Sequence, residues 1–217
     1  MIRENVKKIL ADIPENVKVA ASTKTRTVCE IEQAIDAGIT ILGENYVKEA
    51  QDKFDYIGRR VSWHLLGHLQ KNKVKQAVKI FDLIETLDSL ALAETIDKEC
   101  GKINKVMPVL IELNSAKECS KTGIVPEDLN SFIEKLLSFS NLKLSGLMTM
   151  GPLVERPQDI RPYFKQTKEI FDIIRSKYVE RLQFNHLSMG MSDTYRIAIE
   201  EGTTLVRIGT AIFGERP

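Results

Sequence analysis

Apolar positions along this chain fall into two alternating patterns, a helical spacing near 3.6 residues and short unbroken runs of strand length. Ile2, Val6, Ile9 and Leu10 share one helical face over 2–11, Ile13-Pro14 interrupts it, and the run over 17–23 reads as a first strand. Val28, Ile31, Ala34 and Ile35 then define a second helix that stops at Gly38, followed by a strand over 39–42. The unit repeats. Helix over 44–56 leads to strand 61–65, helix over 70–78 to strand 81–85, and helix over 89–100 to strand 107–113, where Pro108 suits only the strand's first residues. Pro126 and Glu127 open a helix running to Phe139, ahead of strand 142–148. After a loop with Pro152, Pro157 and Pro162, a long helix to Tyr178 precedes strand 183–187, and a short helix over 193–201 stops at Gly202 before strand 204–208.

Eight apolar strands alternating with helices predict a parallel sheet buried on both faces, and the count favours a closed (β/α)8 TIM-type barrel with an extra N-terminal helix over an open doubly wound sheet. Such barrels typically run to about 250 residues. At 217 residues the chain is expected to form one compact domain over 1–217 with no second β-domain. Composition agrees: 43% of residues are hydrophobic and the net charge is +1, with acids and bases interspersed. No basic footprint for nucleic acid, membrane span or signal segment is visible, so a cytoplasmic protein is expected. Cys29, Cys100 and Cys119 are scattered without metal-ligand spacing, which predicts buried reduced thiols and no metal site.

In such a barrel the loops after the strands converge on one opening, and polar residues there are the candidates for chemistry. Lys24 closes the first strand, where a lysine is ordinarily a solvated charge. Ser188-Met-Gly-Met-Ser192 and Gly209-Thr210-Ala211 follow strands seven and eight, the usual barrel phosphate loops, and can aim N–H groups and hydroxyls at an anion. Ser192 and Asp193 suit helix capping equally well. Arg207 lies in an apolar run where an unpaired guanidinium is costly to bury. An ion pair with an acid such as Glu44 and a ligand contact are both open for it. An amine, a phosphate cradle and an arginine facing one opening together suggest pyridoxal phosphate. His64 reads as a satisfied core imidazole, His186 as a group behind Ser188, and the basic run over 71–75 as a solvated helix face.

The segments Ser22-Thr-Lys24-Thr, Gly43-Glu-Asn-Tyr-Val47, Trp63-His-Leu-Leu-Gly-His-Leu-Gln-Lys-Asn-Lys73, Gly146-Leu-Met148, Leu187-Ser-Met-Gly-Met-Ser-Asp193 and Val206-Arg-Ile-Gly-Thr-Ala-Ile-Phe-Gly-Glu-Arg216 occur in order along nearly the whole chain. In them the sequence resembles the small pyridoxal-phosphate-binding proteins of the YggS/PROSC type, which in turn resemble the barrel domain of alanine racemase. The resemblance implies that Lys24 forms a Schiff base with the cofactor, that Asn45 and His68 line its surroundings, and that Met148 packs near the ring. It implies further that Ser188, Gly209 and Thr210 hold the phosphate with the Met189 backbone, and that Arg207 faces the pyridine nitrogen. Thr23 stands where the family more often has serine before the lysine, and keeps the hydroxyl.

The expected function is therefore a pyridoxal phosphate binding and homeostasis protein without efficient turnover, with no catalytic residue established. A guanidinium does not readily give up a proton, so an arginine at the ring nitrogen weakens the electron sink that transamination and decarboxylation need. The alternative is a small amino-acid racemase, which needs a base on each face of the cofactor. The family's larger relative takes its second base from an added β-domain, expected to be absent here, leaving Tyr46 or another subunit to supply one. A third reading, a phosphate-sugar barrel enzyme using Lys24 as a point charge, also stands. Apo-enzymes that use pyridoxal phosphate are the possible partners, and a monomer or weak dimer is expected.

Overall fold

The computed structural model describes residues 1–118 and 122–215. Eight parallel strands close into a barrel in sequence order, β1 pairing with both β2 and β8. They are β1 Lys18–Ser22, β2 Ile41–Glu44, β3 Ser62–Leu65, β4 Leu83–Leu87, β5 Met107–Glu112, β6 Leu142–Met148, β7 His186–Ser188 and β8 Leu205–Ile208. The helices are α1 Ile2–Asp12, α2 Val28–Asp36, α3 Val47–Ile57, α4 Val74–Ile80, α5 Leu90–Gly101, α6 Leu129–Leu136, α7 Arg161–Lys177, α8 Tyr195–Glu200 and α9 Thr210–Phe213. The predicted barrel and N-terminal helix are both present. No helix among the described residues is long and apolar enough to cross a membrane.

Side chains that alternate along each strand divide the core in two. Val19, Ala21, Leu42, Trp63 and Leu65 face outward into the main cluster shared with the helices. Ala20, Ile41, Leu83, Leu110, Met148 and Leu205 form a separate buried cluster, the apolar part of the barrel's inside. Trp63 is fully buried, packs edge-on to Phe54 at 5.6 Å and donates from Nε1 to the Gly58 carbonyl at 2.9 Å. Gly146 sits where β6 and β7 come too close for a side chain, since a Cβ there would lie 1.7 Å from the His186 carbonyl oxygen.

Several boundaries differ from the sequence reading, each for a local reason. β2 begins at Ile41 instead of 39 because the Gly38 and Ile39 N–H groups bond back to Ile35 and Ala34 and end α2. Glu44, expected to open the third helix, is the last residue of β2. Phe81 stays tied to Ala77 by its N–H, so β4 starts at Leu83. β7 is only His186–Ser188, because Phe184 packs against Phe171 at 5.1 Å and not in the ladder. α9 had no counterpart in the sequence reading. Cys100 is buried as expected, whereas Cys29 is exposed in the first turn of α2; Cys119 lies outside the described residues.

Candidate functional site

β1 delivers Lys24 two residues beyond its end, on the parity of Ala20 and Ser22 that points to the inside and the mouth. Lys24 is half-buried, and its Nζ donates to the Tyr46 hydroxyl at 3.4 Å and lies 5.0 Å from the centre of that ring. Beside it a cavity of about 300 Å3 opens at the mouth, lined by Ser22, Asn45, Met150, Ser192, Arg207 and Thr210 among others. A second cavity of about 460 Å3 adjoins it through Asn45 and includes Tyr46, His68 and Lys73. The first is the smaller of the two. It is nonetheless the one in which convergent polar groups meet.

Those groups come from the turns after β7 and β8. The Gly209 N–H donates to Ser192 Oγ at 3.3 Å, the Ala211 N–H at 3.2 Å and the Thr210 hydroxyl at 3.3 Å. Three donors from separate residues thus converge on a single oxygen, the arrangement that backbone anion nests use. Ser192 and Asp193 do not cap α8, which starts at Tyr195 with Thr194 as its N-cap and no side-chain cap; the Ser192 hydroxyl instead meets the first N–H groups of α9.

Arg207 forms part of the cavity's lining while remaining almost fully buried. Its Nη1 donates to Ser188 Oγ at 2.7 Å and its Nη2 to the Thr149 carbonyl at 2.8 Å. The Ser188 hydroxyl donates onward to Glu85 Oε2 at 2.6 Å, and Glu85 Oε1 lies 2.8 Å from His64 Nδ1. A continuous chain of guanidinium, hydroxyl, carboxylate and imidazole therefore threads the inside of the barrel. Burial pulls the Arg207 guanidinium below its ordinary value, opposed by Glu85 and Glu112. Burial pushes Glu85 up, but its bond from His64 and the charges of His64 and Arg207 outweigh this and hold it below the usual carboxylate range.

The alternative pairing of Arg207 with Glu44 is replaced by this chain. Glu44 instead meets Lys53, 2.6 Å from Oε1. His64 is the satisfied imidazole the sequence suggested. His186 is half-buried two residues before Ser188 in β7, and burial, with Lys18 and His64 nearby, holds it below its ordinary value.

Of the residues expected at the site, Asn45, Arg207, Gly209 and Thr210 line the first cavity, and His68 lines the adjoining one, its Nδ1 3.0 Å from Asp88. Met148, Ser188 and Met189 are buried beneath the mouth, Met148 inside the barrel and Met189 in the main core. Ser22, Met150, Met191 and Leu66 line the first cavity without having been singled out. Ser22 shares Lys24's strand parity, which could have found it; the methionines carry no such signal. Among the described residues no cluster of His, Cys, Asp and Glu could hold a metal.

Over residues 1–217 the chain matches the family described as alanine racemase, N-terminal domain. A pyridoxal phosphate homeostasis protein of Aquifex aeolicus is 42% identical over 200 residues, covering 92% of this chain and 87% of the relative. One from Escherichia coli K12 is 36% identical, covering 94% and 87%. PipY of Synechococcus elongatus matches at 31% identity over 99% of this chain and 100% of its own, with a TM-score of 0.93 without PLP and 0.91 with PLP bound. Alanine racemase of Clostridium difficile, at 16% identity, a TM-score of 0.79 and 56% of its own length, shares the fold alone. The chain therefore belongs to the alanine racemase N-terminal domain family, among its pyridoxal phosphate homeostasis proteins of the YggS/PROSC type.

Proposed function

We propose that this protein binds pyridoxal phosphate at the barrel mouth and holds it on Lys24 for later release to apo-enzymes, without efficient turnover. The observation that carries the reading is the convergence of the Gly209 and Ala211 N–H groups and the Thr210 hydroxyl on Ser192 Oγ, in a cavity also lined by Arg207. A phosphate oxygen can take the place of that hydroxyl with every donor retained. The cavity's volume of about 300 Å3 is at the lower end of the range for small-molecule sites. Names of relatives and the PLP-bound PipY structure point to the same ligand.

In this reading Ser192, Gly209, Thr210 and Ala211 hold the phosphate, Asn45 and Met150 border the ring, and Arg207 faces the ring nitrogen. Ser188, which the sequence placed on the phosphate, acts from beneath: its hydroxyl receives from Arg207 and donates to Glu85, and so fixes the guanidinium's plane. The bound cofactor supplies an aldehyde, which an amine takes up with loss of water, and a ring able to withdraw electrons. Arg207, permanently charged and already hydrogen-bonded, offers that ring no transferable proton. Racemisation would need two bases on opposite faces. The Tyr46 hydroxyl sits 3.4 Å from the Lys24 amine itself, so the two groups lie together and do not flank a site from opposite faces.

The test is the visible spectrum of protein loaded with pyridoxal phosphate, then borohydride reduction and location of the adduct on a peptide. Lys24→Ala is expected to abolish both the band and the adduct. An adduct retained in that variant overturns the anchoring role, and rapid interconversion of alanine enantiomers by the wild-type protein overturns the absence of turnover.

A further inference from the structure

α3 carries a polar stripe on a face that packs against the barrel. Glu49 and Lys53, four residues apart, stack along one helix face just past Tyr46 at the N-cap, and Lys53 is buried. The stripe meets the segment that bears Lys24. Lys53 Nζ donates to the Thr23 carbonyl at 2.6 Å, to Glu44 Oε1 at 2.6 Å and to Glu49 Oε1 at 2.7 Å. The Thr23 hydroxyl donates to the same Glu44 oxygen at 2.6 Å, and the Thr25 N–H donates to Glu49 Oε1 at 2.5 Å.

Peptide groups on both sides of Lys24 are therefore held by charged side chains, while the lysine's own amine makes a long contact of 3.4 Å to the Tyr46 hydroxyl. Thr25 is a non-glycine residue at φ +67°, a conformation that persists only where its surroundings enforce it. Glu44 Oε2 is left buried without a hydrogen-bond partner. Replacing a buried ion pair by apolar packing is often neutral or stabilising, so this cluster is weak evidence of a purely stabilising role. Its satisfied bonds go instead to the turn at Lys24.

We propose that Lys53, Glu44 and Glu49 form an ionic clamp that positions Lys24 for covalent capture of the cofactor. This rests on the reading of Lys24 as the anchoring amine. The clamp touches neither the Ser192 cradle nor Arg207, so it governs capture and leaves phosphate binding alone.

The test separates the two. Full-length protein freed of cofactor is titrated with pyridoxine 5′-phosphate, which has the ring and phosphate but no aldehyde, and is mixed rapidly with pyridoxal phosphate while the visible band is followed. In Glu49→Ala and Lys53→Met, pyridoxine 5′-phosphate affinity is expected to stay within about twofold of wild type while capture slows about tenfold or more, with Lys53→Arg restoring most of the rate. Unchanged capture, or equal loss of capture and affinity, overturns the clamp. Where Lys53→Met does not fold, Glu49→Ala decides, because that side chain is 26% exposed and its removal leaves the Lys53–Glu44 pair in place. If wild-type protein neither binds pyridoxine 5′-phosphate nor develops the band, the site itself fails and the clamp with it.

Discussion

Serine 188 and serine 192 show how much position decides for two identical side chains four residues apart. The first is fully buried between a guanidinium and a carboxylate, and the second sits at the mouth under three donors. Ser188→Ala is expected to lower stability by about 1–3 kcal/mol in urea unfolding, the usual cost of leaving buried polar groups short of a partner. A loss below about 0.5 kcal/mol would mean that Arg207 and Glu85 pair directly once the hydroxyl is gone. The thiols differ just as sharply. Burial pushes the Cys100 thiol up to about 11, while Cys29 is exposed. Iodoacetamide at pH 8 is expected to modify Cys29 and spare Cys100 until the protein is unfolded, as read from peptide masses; equal labelling in the native state would contradict that burial.

Among the elements, β6 and β7 come too close for a side chain at Gly146 against the His186 carbonyl. Gly146→Ala must force these strands apart and is expected to cost about 1–3 kcal/mol or more in denaturant, with weakened cofactor binding because Ser188 moves with β7. Retention of wild-type stability would show that the seam can relax. Strand and helix identity was legible because apolar runs and 3.6-residue faces alternate without ambiguity; β6 matches its expected bounds. Boundaries were less so: Gly38 marked the end of α2, but the Ile39 N–H bond back to Ala34 that delays β2 to Ile41 lies in the backbone and has no side-chain signature. Lys24 and Arg207 stood out as charges at the ends of apolar strands. Lys53 did not, because among Lys48, Glu49, Asp52 and Asp55 a lysine on a helix reads as a solvated face. Only the placement of α3 on the barrel buries it. Ser192 was hidden by its resemblance to a cap, and the polar chain through Glu85 and Ser188 joins residues 103 apart.

For the whole molecule, the half-buried His186 and the buried Glu85 each make stability fall as pH falls. His186 is held below its ordinary value of 6.5, so the unfolded chain takes up that proton more readily. Its contribution is complete above pH 6.5 and is lost as pH falls through the lower folded value. Glu85, also held below its ordinary value of 4.5, adds a second loss further into acid. Melting temperature is expected to fall from pH 7.5 to pH 5, and His186→Gln to flatten that slope; identical slopes in the two proteins would remove His186 from the account.

The pairing of β1 with β8 carries one more consequence. Lys24 follows β1 and is synthesised before Ser192, Arg207, Gly209 and Thr210, which lie in or after β7 and β8. In the proposed reading the anchoring amine is therefore translated before the turns that hold the phosphate, which come together only as the ring of strands is completed. On the proposed reading, cofactor retention reports that β8 has joined the barrel: a nascent chain stalled before β8 carries the proposed anchoring amine without the proposed grip on the phosphate.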